Sequence, residues 1–101
     1  MSSANAMCYK SAANFVLKNP DYVLVHGVVS GITLAEAPHA WVKKGSKIYH
    51  VEDDKWYDLS EWEKYAAEQK VYTYEEVVRL IEFASHSGPW TDAEYNRSKS
   101  R

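Results

Sequence analysis

With a single cysteine, Cys8, the chain can close no disulfide within itself and cannot build a zinc site from several thiolates. That usage suits a reducing, cytoplasmic setting. No apolar run approaches the roughly 18 residues of a membrane span, so no membrane partner is expected. Residues Met1 to Met7 lack the basic and greasy regions of a secretory signal. There is no basic excess either. Twelve Lys and Arg stand against fourteen Asp and Glu, a net charge of −2, which supplies no basic face for nucleic acid. The one basic cluster, Arg97, Lys99 and Arg101, reads as a solvated tail.

The 101 residues suit one domain with a modest core, and eight Tyr and four Trp supply large side chains to fill it. Residues 1–7 are expected to be a flexible N-terminus, 8–90 the domain and 91–101 a tail, in which Thr91-Asp-Ala-Glu94 could cap a last short turn. Cys8, Ala12, Phe15 and Val16 recur at helical spacing, and Asn19-Pro20 ends that helix. Tyr22 to Val29 is rich in β-branched residues and reads as a strand. His39–Lys43 and Lys47–Val51 flank Lys44-Gly45-Ser46 as a hairpin. A short strand is expected at Lys55–Tyr57 and a helix from Ser60 to Gln69. Thr73-Tyr-Glu-Glu76 forms a capping box ahead of a helix stopped by Ser87-Gly88-Pro89. The fold class predicted is α+β: an N-terminal helix carrying the cysteine, packed on a small antiparallel sheet, with C-terminal helices.

In this order Cys8 falls in the first turn of its helix. The partial positive charge there favours thiolate, and the unbonded N–H groups could hold an oxyanion. His39, opening a strand after Pro38, is the candidate general base. A third group must orient that imidazole. His50 on the returning strand is the first choice, although a three-residue loop pairs His39 with Val51 and turns His50 to the other face. Glu52, Asp53 and Asp54 are the alternatives. Tyr9, His26 and Trp41 are candidate substrate contacts. Against this stand plainer readings: a small buried cysteine is common and inert, and a lone mid-strand histidine such as His26 is ordinarily a core residue. His86 at a helix end needs no further explanation. Zinc accepts one Cys with two His, but Cys8, His39 and His50 lack close ligand spacing, so no metal or other cofactor is expected.

Cys8-Tyr9 with Ala12, Leu24-Val-His-Gly27, His39-Ala-Trp-Val42 and Gly88-Pro-Trp90 together resemble a group of small uncharacterised phage and bacterial proteins. The order of cysteine helix, histidine strand and polar strand is similar to that of the papain-like superfamily as seen in NlpC/P60 and transglutaminase-like proteins. The segment His39 to His50 looks like the histidine hairpin of NlpC/P60 domains. The resemblance implies a miniature papain-like fold and a thiol hydrolase or acyltransferase acting on amide or peptide bonds. In it Cys8 is the nucleophile, His39 the base and His50 the orienting group. Where that group tends to carry Asp after Tyr, this chain has His50 after Tyr49. The partner expected is a peptide or protein substrate, met by a monomer or weak homo-oligomer. The alternative is a catalytically inactive, phage-type inhibitor that binds a host protein on the same scaffold.

Overall fold

The computed structural model describes residues 2–30, 37–51 and 54–99. Its elements are α1 (Ser2–Lys18), β1 (Val23–Val29), β2 (Ala37–Lys44), β3 (Lys47–His50), β4 (Lys55–Asp58), α2 (Leu59–Trp62), β5 (Ala66–Tyr72), α3 (Tyr74–Ala84) and α4 (Asp92–Lys99). The fold is α+β. The five strands make one antiparallel sheet in the order β4-β3-β2-β1-β5, with β1, β2 and β3 inside and β4 and β5 at the edges.

Helix α1 lays one stripe on the sheet. Cys8, Ala12 and Val16, four residues apart, are all buried, together with Tyr9 and Ala13. They pack with Leu24, Ala40 and Val42 of β1 and β2 and with Val77 and Leu80 of α3. At the far end the Asn19 side chain donates to the Phe15 carbonyl at 2.9 Å, and Pro20 follows where no helical N–H could be supplied. The helix starts at Ser2, earlier than its apolar pattern predicts, so Cys8 is the seventh helical residue rather than part of the first turn.

The other face of the sheet carries a smaller cluster, Val25, Trp41, Ile48 and Trp62, covered by α2. The β2–β3 loop has two residues, not three. Lys44 pairs with Lys47 across Gly45-Ser46, and Gly45 takes φ 60°, where a II′ hairpin turn places glycine. This shifts the expected register by one, and a shift of one residue exchanges the faces of every side chain on β3.

One expectation fails for an identifiable reason. The helix predicted over 60–69 is helical only through Trp62; Ala66–Tyr72 instead pairs with β1. Ala66-Ala-Glu-Gln-Lys70 are good helix formers, but β1 has a second edge whose N–H and C=O groups need partners, and the ladder wins. The segment expected as a tail is helix α4 over most of its length. Thr91 and Glu94 cap it reciprocally at 2.8 and 3.1 Å, and Tyr95 Oη donates to Glu76 Oε2 of α3 at 2.6 Å. Helix α3 has its own capping box, with Thr73 and Glu76 bonded at 2.9 and 3.2 Å.

Candidate functional site

The structure separates Cys8 from His39. Cys8 is 1% exposed and sits in the core under α1. The N–H groups left unbonded by a helix belong to its first four residues, so the Cys8 position has passed them, and the helix-end field has faded by there. His39 pairs with Gly27 two residues before the Trp41–Val25 pair, and so shares the face of Trp41 and Val25, the face covered by α2. The sheet therefore stands between the sulfur and this imidazole.

His39 and His50 do come together. Their Nε2 atoms are in hydrogen-bond contact, with ring centroids 4.5 Å apart. The two-residue turn causes this. It pairs Lys43 with Ile48 and so puts His50, two residues on, on His39's face. His50 is buried and its ring lies 5.7 Å from that of Trp62. Glu52 and Asp53, the alternative orienting groups, lie outside the described residues. Asp54 accepts a hydrogen bond from Tyr49 Oη at 2.6 Å.

On the α1 face a different group assembles. Tyr9 meets the His26 ring edge-on at 4.7 Å, Tyr72 does so at 5.0 Å, and Trp90 lies nearly parallel to it at 5.4 Å. Gly88 allows this packing: a Cβ there would stand 3.0 Å from His26 Cε1. A notch of about 190 Å³ opens beside the cluster, lined by Tyr9, His26, Lys70, Tyr72, Pro89 and Trp90. Tyr9 and His26, two of the three expected substrate contacts, meet here. Trp41, the third, is fully buried on the opposite face.

Burial is the largest influence on the titratable groups at the notch. Burial, helped by the nearby charge of Lys70, pushes the His26 pKa down to about 4, so the ring is neutral at pH 7. Burial, then the charge of Asp92, pushes Tyr72 up to about 12. Tyr9 is raised by burial first and by Cys8 second. Lys70 is also in direct contact with Asp92 Oδ1 at the exposed rim. Among the described residues, His26 Nε2 and Tyr72 Oη are buried without a hydrogen-bond partner. A wider depression of about 490 Å³ runs beside Tyr74, Glu75, Val78 and Arg79, but all four lie on or near the surface and bring no buried polar group to it.

Lys70 and Tyr72 were missed as site residues because the sequence reads as helix through Gln69 and gives no sign that the residues after it pair with β1. Lys70 stands directly opposite His26 and so shares its face, a pairing between residues far apart in the chain that leaves no local signature. Compared with known proteins, the chain matches no family model, no curated protein and no solved structure. Among the described residues no helix is long and apolar enough to cross a membrane.

Proposed function

We propose that this chain is a small protein-binding domain whose contact site is the notch between α1, the β1–β5 pair and Trp90. The observation that carries the reading is the combination at His26 and Tyr72: two neutral polar groups, buried and without partners among the described residues, beside an aromatic-walled opening. Each such group costs about 1–3 kcal/mol while it stays unmade. At about 190 Å³ the opening is smaller than the roughly 300–1,000 Å³ of small-molecule pockets. It is sized for one anchoring side chain of a protein partner, the usual form of an interface hot spot.

The test uses N-acetyl amides of Leu, Phe, Trp and Gln as side-chain probes in NMR titrations of the labelled protein. The reading expects at least one probe to shift the signals of Tyr9, Lys70 and Trp90 together, and that response to disappear in Trp90→Ala. Probes that move only other surfaces, or none, would overturn it.

A second reading, the thiol hydrolase or acyltransferase, is favoured by one observation. His39 and His50 touch, as a base and its orienting group should. This reading needs the Cys8 sulfur at the same imidazole and open to substrate, which the buried helix position does not supply. The two readings part on the reactivity of Cys8.

A further inference from the structure

The His39–His50 contact has a geometry that neither reading uses. The ring planes differ by only 11°. Near-parallel rings lying face to face keep their atoms about 3.5 Å apart or more. Nitrogens in hydrogen-bond contact below that gap put the rings nearly in one plane and end to end, so each Nε2 points at the other. In the neutral pair one ring carries its proton on Nε2 and donates it to the other. If that proton moves to the donor's own Nδ1, two lone pairs converge on a common point and no net charge changes. Convergent neutral imidazole nitrogens are the ligands that zinc, copper and nickel ions take.

We propose that His39 and His50 form a two-imidazole site for a divalent transition ion. Metal–nitrogen bonds of about 2.0–2.1 Å at a tetrahedral angle place the two nitrogens roughly 3.3 Å apart. The rings reach that spacing by a small tilt. His39, half-buried at the third position of β2, is the more exposed of the two, while His50 is buried beside Trp62. Among the described residues no group of three or more His, Cys, Asp or Glu side chains converges, so the described residues offer two ligand positions. The inference does not rest on the notch.

The test is calorimetric titration of the full chain with Zn²⁺ at pH 7.5, on the wild type and on His39→Gln, His50→Gln and His86→Gln. The expected result is one equivalent bound, weakened at least tenfold in each of the first two variants and unchanged in the third. His86 controls for the exposed histidine that faces Glu94. Long-range ¹H–¹⁵N spectra of the wild type give a readout that no variant's misfolding can mimic. On zinc binding both rings should become Nδ1–H tautomers. Absence of binding, equal binding in the Gln variants, loss in His86→Gln, or unchanged ring tautomers each overturn the proposal.

Discussion

Trp41 lies across Gly27. A Cβ on Gly27 would stand 2.7 Å from Trp41 Cη2 and 2.1 Å from the Ala67 carbonyl oxygen. The bare backbone of β1 thus lets the indole lie flat on the sheet and lets the bulged β5 approach. Gly27→Ala should therefore cost roughly 1–3 kcal/mol or more, since neither the backbone oxygen nor a fully buried indole can step aside. Urea unfolding followed by tryptophan emission measures it. A cost below about 0.5 kcal/mol would mean that the approach is loose.

His26 sets a pH dependence. Its imidazole protonates near 6.5 in an unfolded chain and near 4 in the folded one. Between those values the unfolded state binds more protons, so stability falls as pH drops through that window and the loss is complete below about 4. The shift corresponds to about 3 kcal/mol. Urea titrations at pH 7, 5.5 and 4.5 should show a decline that is much smaller in His26→Phe. An equal decline in both proteins would assign the acid sensitivity elsewhere.

The capping box of α3 gives a local test. Thr73→Ala removes the side-chain acceptor for the Glu76 N–H and should cost about 1 kcal/mol. Thermal or urea denaturation reads it. An unchanged midpoint would show that solvent replaces the hydroxyl without loss.

Local chemistry made much of this architecture legible. The capping box, the hairpin glycine, the proline after α1 and the β-branched run of β1 each act through neighbouring residues, so each can be read from the chain. The α2–β5 segment could not be, because its strand exists to satisfy an edge of β1 that is distant in sequence. The meeting of Tyr9 with His26 follows from α1 crossing β1, and both were candidates from their position beside Cys8 and in mid-strand. The meeting of His39 with His50 depended on one residue of loop length. Two residues in place of three turned His50 from the far face to the near one. What the sequence could not convey was depth: a stripe of Cys8, Ala12 and Val16 looks the same whether its first member opens on solvent or is sealed by the sheet.

Cys8 decides between binding and thiol chemistry. A sulfur 1% exposed, seven residues into a helix, can meet an electrophile only when the helix lifts from the sheet. Its alkylation by iodoacetamide at pH 7.5 should then be limited by opening of the native state, on the order of 100-fold or more slower than in denaturant, and should accelerate with added urea. Cys8→Ala should leave the notch response to side-chain probes intact. It should cost only a small amount of stability, since a small apolar group replaces a small buried one. Fast labelling in native buffer, with a midpoint well below the ordinary thiol pKa of about 8.5, would falsify the binding reading and return Cys8 to the role of nucleophile.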